Sequence, residues 1–256
     1  MAMRWRWLES APASGATQMA VDVALMAHAR RTGESTLRVY EWSRPTLSFG
    51  RNEPARDRFS GDSVTAAGYD VVRRPTGGRV LLHDGDVTYS VTAPAANDDP
   101  IRAAFARINE LLADGLRRLG VNPEPATIAV RERRPGRDAC FAAPSAGELV
   151  VAGRKLVASA QRREDGAMLQ HGSILMVDRR GALSTLARGG IPVPAAAATL
   201  ESVLGRPVER VEVHRALKQA LEVLVGDVEP HDPADIARLA APLVAGFSDS
   251  AWTWRR

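Results

Sequence analysis

The sequence predicts an α+β fold in which helices flank a central mixed, largely antiparallel sheet. Three observations carry this. The middle of the 256 residues alternates in strand fashion between turn signals. Both ends carry apolar spacings of three and four. Turns of two residues join neighbouring strands, which sets those strands antiparallel.

Taken in order, Arg4 to Leu8 alternates as a strand, and Gln18 to Arg31 spaces Met19, Val23, Leu25 and Met26 as a helix after the turn-prone "PASG". "TLRVYEW" and "PTLSFGR" read as a hairpin turning at Ser43-Arg44-Pro45. Strand-like pieces at Tyr69–Arg74 and Arg79–His83 flank "PTGG", and "VTYSVTAP" is a further strand ending at proline. Pro100 opens a helix through Leu119, with Ile101, Phe105, Ile108, Leu111, Leu112 and Leu116 on one stripe and Gly120 as its stop. "ELVVAGRKLVASAQRR" reads as two strands about an Ala152-Gly153 turn, and "AMLQHGSILMV" as a third after Asp165-Gly166. "GGIPVPAAAA" is a loop marking a joint before "AATLESVLG", "VHRALKQALEVLVG" and "PADIARLAAPLVAGF", which are helical. The pattern leaves "WTWRR" unplaced.

The length suits one core, so residues 1–256 are expected to form a single domain whose C-terminal part is helical from about 190. The formal charge of +4 favours acidic partners, but the basic residues are scattered, without zinc spacing or aromatic interleaving. No nucleic acid is expected. Neither a signal-peptide core nor a membrane-length apolar run occurs, and one cysteine, Cys140, allows no internal disulfide. A cytoplasmic protein without membrane attachment is expected.

Lysine is the oddity of the composition. Of 34 basic residues only Lys155 and Lys218 are lysines. Guanidinium is broad and stays protonated, whereas ammonium is a compact charge that can release its proton, so a lone lysine within a strand pair is informative. Lys218, on an amphipathic helix, reads as surface charge. Cys140 precedes Lys155 by fifteen positions in "RDACFAAPSAGELVVAGRK". A single cysteine is commonly a small buried hydrophobe. Beside an ammonium, however, its thiol is acidified and becomes a nucleophile. The stretch "RRPTGGRVLLHDGDVTYS" puts two glycines in a loop where backbone can approach a ligand, but without the spacing of a phosphate loop or dinucleotide fingerprint. His83 and His171 sit in strand-like text, where a histidine is more often packed than catalytic. Five dispersed histidines suggest no zinc site.

Together "RRPTGGRVLLHDGDVTYSV" and "CFAAPSAGELVVAGRKLVASAQRREDGAMLQHGSIL" resemble the biotin/lipoate protein ligase superfamily. Within it they are most like the cofactor-independent octanoyltransferases that load lipoyl domains. The resemblance implies a fold like the catalytic domain of class II aminoacyl-tRNA synthetases and biotin synthetase. It implies Cys140 as acyl-thioester nucleophile and Lys155 as the cation that lowers its pKa. It implies substrate-binding roles for Arg73, Arg74, Thr76, Gly77, Gly78, His83, Ser159, Ala160 and Gln161, with Val80 and Leu81 as walls of an acyl slot. The donor would be octanoyl-acyl carrier protein, the acceptor a lipoyl domain or glycine-cleavage H protein, and no metal or ATP would be needed.

Ala158 stands where that family usually has glycine, which adds a methyl beside the acyl path, and Ala146-Gly147 replace a bulkier aromatic pair. Three rival readings remain: an octanoyl amidotransferase between lipoyl-accepting proteins, an ATP-dependent lipoate ligase, and a non-catalytic binding module. The glutamate and leucine at 148 and 149, where the ligases typically have Asn-Asp, favour the transferase. The intact Cys140 and Lys155 count against the binding module.

Overall fold

The structure is a computed structural model that describes residues 4–95, 100–127, 144–190 and 196–256. Its elements run β1 (Trp5–Ala13), α1 (Gly15–Thr32), β2 (Ser35–Trp42), β3 (Thr46–Phe49), α2 (Gly61–Ala66), β4 (Asp70–Arg73), β5 (Leu81–His83), β6 (Asp86–Pro94), α3 (Ile101–Arg118) and β7 (Glu124–Pro125). There follow β8 (Leu149–Val151), β9 (Arg154–Lys155), β10 (Val157–Glu164), β11 (Ala167–Leu175), α4 (Ala182–Leu186), α5 (Leu200–Leu204), α6 (Arg210–Val225), β12 (Glu229–Pro230), α7 (Pro233–Ser248) and α8 (Ser250–Thr253).

Six strands form the central sheet in the order β10-β11-β6-β2-β1-β12. Pairs from β10 to β2 are antiparallel, and β1 lies parallel to both β2 and β12, so the sheet is mixed and largely antiparallel as expected. Two three-stranded sheets, β4-β3-β5 and β7-β8-β9, accompany it.

Strand periodicity divides the central sheet into two different faces. Val87, Tyr89, Val91 and Ala93 of β6, with Leu37 and Val39 of β2, join the apolar core against α3 and α6. The alternate residues Arg38 and Tyr40 instead reach Asp22 of α1. One face therefore buries hydrocarbon and the other buries paired polar groups. Leu8, Ala20, Ala24, Leu25, Ile236 and Ala240 seal α1 against β1 and α7.

Local capping agrees with the spacing. Ser14 accepts from the Thr17 N–H at the start of α1, and Gly33, with φ +74°, ends it in the left-handed conformation. The stripe of α3 begins later than its sequence suggests: Ile101 is 57% exposed, and the buried run starts at Ala104. At Gly115 a Cβ would meet Leu217 Cδ2 at 2.7 Å, which is how closely α3 packs on α6. Lys218 of α6 is half-exposed and faces Glu222 at 3.6 Å. Among the described residues no helix is long and apolar enough to cross a membrane.

Two expectations need correction. "TLRVYEW" and "PTLSFGR" do not form a hairpin: β2 pairs with β1 and β6, whereas β3 pairs with β4 and β5 in another sheet. The turn at Ser43-Arg44-Pro45 carries the chain between sheets. The strand around Lys155 also breaks in two. Arg154–Lys155 closes a hairpin with β8, and after Leu156 the chain joins the central sheet as β10.

Candidate active site

A narrow apolar slot opens between the polar face of the central sheet and the sheet β4-β3-β5. Met19, Tyr40, Trp42 and Thr88 line one side; Ala158, Ser159, Ala160, His171 and Gly172 line another; Arg74, Gly78, Leu81 and His83 complete it. Ala158 belongs to a small apolar cluster with Leu81, Leu175 and Ala197, so its methyl forms part of the wall.

The loop after β4 is built from the backbone outward. A Cβ on Gly50 would stand 1.9 Å from the Gly78 carbonyl oxygen, so these two backbones touch. Gly78 has φ +97°, a conformation in which a side chain is strained. Gly77 has open space around its Cα. Arg74 donates to the Ser48 carbonyl at 2.7 Å and hydroxyl at 2.6 Å, and to the Arg79 carbonyl at 2.8 Å. Its guanidinium staples the loop to β3 while its side chain lines the slot.

Arg73 is fully buried, and its guanidinium donates to the carbonyls of Gly50 at 2.7 Å, Glu53 at 2.9 Å and Thr253 at 2.9 Å. Burial and the neighbouring arginines lower its pKa to about 10. Trp252 Nε1 donates back to the Arg73 carbonyl at 3.0 Å. The Arg256 carbonyl accepts from the N–H groups of Ala55 and Arg56, each at 2.9 Å. "WTWRR" thus supplies the end of α8 and a tail that backs the glycine loop.

Two carboxylate–imidazole–hydroxyl chains line the polar face. In one, Asp22 bonds His171 Nδ1 at 2.8 Å, and His171 Nε2 bonds Thr76 Oγ1 at 2.6 Å. In the other, Asp86 bonds His83 Nδ1 at 2.8 Å, and His83 Nε2 bonds Ser48 Oγ at 2.8 Å. A carboxylate only accepts, so each Nδ1 carries a proton, and the Ser48 hydroxyl donates to Nε2 of the neutral His83. Trp42 stacks on His83 with ring centroids 4.2 Å apart and donates Nε1–H to Thr88 at 2.8 Å.

Burial lowers the His83 pKa despite Asp86 beside it. Burial alone would raise the carboxyl of Asp22, but Arg38 and His171 outweigh it, and the net shift is downward. Asp86 is likewise lowered: His83, Ser173 and Thr88 overcome the burial that would raise it. The slot therefore offers a neutral imidazole, His83, above carboxylates already paired, which suits an uncharged chain.

Lys155 is buried at the end of the β8–β9 hairpin. Its Nζ lies 2.6 Å from Glu148 Oε2, with both side chains at most 5% exposed. Glu148 Oε2 also accepts from the Ser145 N–H at 2.7 Å, and Oε1 from the N–H of slot-lining Ser159 at 3.4 Å. Cys140 lies outside the described residues.

Of the residues named from sequence, Arg74, Gly78, His83, Ser159, Ala160 and Leu81 line the slot. Thr76 reaches it through His171. Arg73 and Val80 are buried behind it, and the Ser159 hydroxyl bonds Tyr89 at 2.6 Å. Gln161 lies further along β10, its amide 3.5 Å from Gln170 Oε1. Sequence reasoning missed Ser48, Asp22, Asp86 and Glu148. For Glu148 a signal existed: the hairpin pairs Val150 with Lys155, which makes position 148 the diagonal neighbour of Lys155 on the same face.

Residues 14–222 match the family described as lipoyl protein ligase A/B catalytic domain. The octanoyltransferase LipM of Kyrpidia tusciae is 37% identical, covering 98% of this chain and 99% of that protein. That of Moorella thermoacetica is 36% identical, covering 98% of each. Among solved structures, lipoate-protein ligase A bound with ATP superposes with a TM-score of 0.80 at 22% identity, covering 99% of both chains. The bipartite lipoate protein ligase of Thermoplasma acidophilum gives 0.79 at 21%, covering 98% and 96%. These two likenesses carry the fold, and the sequence relatives carry the chemistry class. The chain belongs to the lipoyl protein ligase A/B catalytic domain family and is an acyl-transferring enzyme within it.

Proposed function

We propose that this protein is an octanoyltransferase of lipoate biosynthesis, taking octanoyl from acyl carrier protein through an acyl-cysteine thioester to a lysine of lipoyl domains or glycine-cleavage H protein. The observation that carries the reading is the buried Lys155 beside the slot wall, in a chain that resembles octanoyltransferases along nearly its whole length.

In the first half-reaction the Cys140 thiolate attacks the carbonyl of the octanoyl thioester. A new C–S bond forms, the donor's C–S bond breaks, and the carrier leaves as thiolate. In the second, the neutral acceptor amine attacks acyl-Cys140. The C–N bond forms, Cys140 departs as thiolate, and the proton lost by nitrogen balances the one taken up by the released carrier thiol. Lys155 stabilises thiolate and developing oxyanion alike. The slot holds the acyl chain, with Leu81 and Ala158 against it, and Arg74, Thr76, Gly77 and Gly78 hold its roof. Neither step calls for ATP or a metal. We read residues 1–256 as one catalytic domain working in the cytoplasm, its positive charge steering acidic protein partners.

Intact mass after incubation with octanoyl-acyl carrier protein, without ATP, tests this. The expected result is a covalent octanoyl adduct that vanishes in Cys140→Ser. Acylation of a lipoyl domain that requires ATP and survives that substitution would overturn the reading. Octanoyl-H protein as a better donor than the carrier protein would replace it with the amidotransferase reading.

A further inference from the structure

We propose that Glu148 is a positioning residue of the transfer, one carboxylate that holds the catalytic lysine, the backbone downstream of the cysteine and the slot wall in a single arrangement. This rests on the reading just given. Its physical basis is local: Glu148 takes Lys155 Nζ and the Ser145 N–H on Oε2, at 2.6 and 2.7 Å, and faces the Ser159 N–H at 3.4 Å through Oε1.

Each of these ties lies on a different piece of the site. Lys155 ends β9, Ser159 lines the slot, and Ser145 is five positions after Cys140 in the sequence. The segment around Glu148 is itself anchored. Its carbonyl accepts from Ala126 N at 2.8 Å, and the Gly147 carbonyl accepts from Asn109 Nδ2 of α3 at 2.6 Å. From Asn109 a chain of bonds runs through Gln170 at 3.0 Å to Tyr89 at 3.2 Å and on to the Ser159 hydroxyl at 2.6 Å. Burial raises the Tyr89 phenol to about 12 against the lowering effect of its bonds to Gln170 and Ser159, so it stays neutral.

An ammonium buried to this degree is costly without a counter-charge, and its direction is set by whatever carboxylate holds it. Glu148 supplies both charge and direction, and it never needs to touch substrate. Replacing it therefore acts through Lys155.

The test is a double-mutant cycle on single-turnover transfer, with alkylation of the chain's one cysteine as a second readout. Glu148→Gln keeps shape and hydrogen-bonding capacity but removes the charge, and Glu148→Asp keeps the charge but retracts it. Glu148→Gln is expected to slow transfer and cysteine alkylation by at least tenfold each, with Glu148→Asp between it and wild type. In a Lys155→Met background, Glu148→Gln is expected to add less than twofold, because its effect is already lost. Multiplicative losses, or a lowered melting temperature with unchanged alkylation, would overturn the proposal by showing a purely structural role. An absent octanoyl adduct in the wild type would instead defeat the underlying functional reading, a result that the cycle does not mimic.

Discussion

Gly50 and Gly78 meet backbone to backbone, so closely that a Cβ on the first would lie 1.9 Å from the carbonyl oxygen of the second. The contact joins the end of β3 to the loop over the slot. It separates the two neighbouring glycines by function, because Gly77 has nothing within 4 Å of the position a Cβ would take. Gly50→Ala must displace the loop, at a cost of about 1–3 kcal/mol, with a loss in kcat/KM of up to about 100-fold from misplaced slot residues. Gly77→Ala should stay within about 0.5 kcal/mol of wild type. Urea denaturation and steady-state kinetics on the pair check this, and equal behaviour of the two variants would refute it.

Lys155→Arg preserves charge but not shape. The bulkier guanidinium cannot take the place of an ammonium held at 2.6 Å by a buried carboxylate that also bonds Ser145. Single-turnover transfer should fall by about 100-fold or more while the fold survives, since removal of one oxyanion-stabilising group costs on that order. A variant as fast as wild type would remove Lys155 from the mechanism.

Arg73→Lys should loosen the tail. Three carbonyls from two parts of the chain converge on one guanidinium fork, and a lysine reaches at most some of them. A loss of about 3 kcal/mol is expected from buried acceptors left without donors. Amide hydrogen exchange should rise selectively at 252–256 and in the 50–55 segment. Uniform exchange across the molecule would argue against this tie.

Acidification should weaken the fold in a defined window. His83 is lowered from the ordinary 6.5, and His231, bonded to Thr36 and half-buried beside His28, is lowered to about 4 by that burial. Below about 6.5 an unfolded chain takes up protons that these folded imidazoles refuse, so stability is lost as pH falls from there toward 4. Asp22 and Asp86, lowered from 3.8, act in the same direction further down, below the ordinary carboxylate value. Urea midpoints should be flat above neutrality and decline through this range, with a shallower decline in His231→Gln. A midpoint unchanged between pH 7 and 4 would contradict the assignment.

The fold was legible where a residue's own backbone preference decided the structure. Ala152-Gly153 and Asp165-Gly166 all have positive φ, and both turns stand where two-residue hairpins were expected. The glycine loop was legible for the same reason. The link from β2 to β3 was not, because Ser43-Arg44-Pro45 reverses or redirects a chain equally well, and only the pairing partners decide which sheet each strand enters.

The polar face was the least legible part of the site. Asp22 and His171 are 149 residues apart, and an aspartate within a helical run reads as surface charge. Its buried role depends on Arg38, Tyr40 and His171 arriving from two strands, which no local pattern announces. Lys155 was found because composition set it apart. Its partner Glu148 was not, since glutamate is common in this chain and only the hairpin register singles it out.

The scarcity of lysine acquires a different meaning once Lys155 and Lys218 are located. If the transfer ends on a lysine amine, as proposed above, the enzyme is a potential target of its own chemistry. Here one of the two lysines is buried in an ion pair, and the other, half-exposed on α6, faces a glutamate. Arginine carries the rest of the positive charge, and guanidinium stays protonated and resists acylation. Under that reading the surface can be basic while it presents an activated acyl group with few amines, which would guard the enzyme against self-modification.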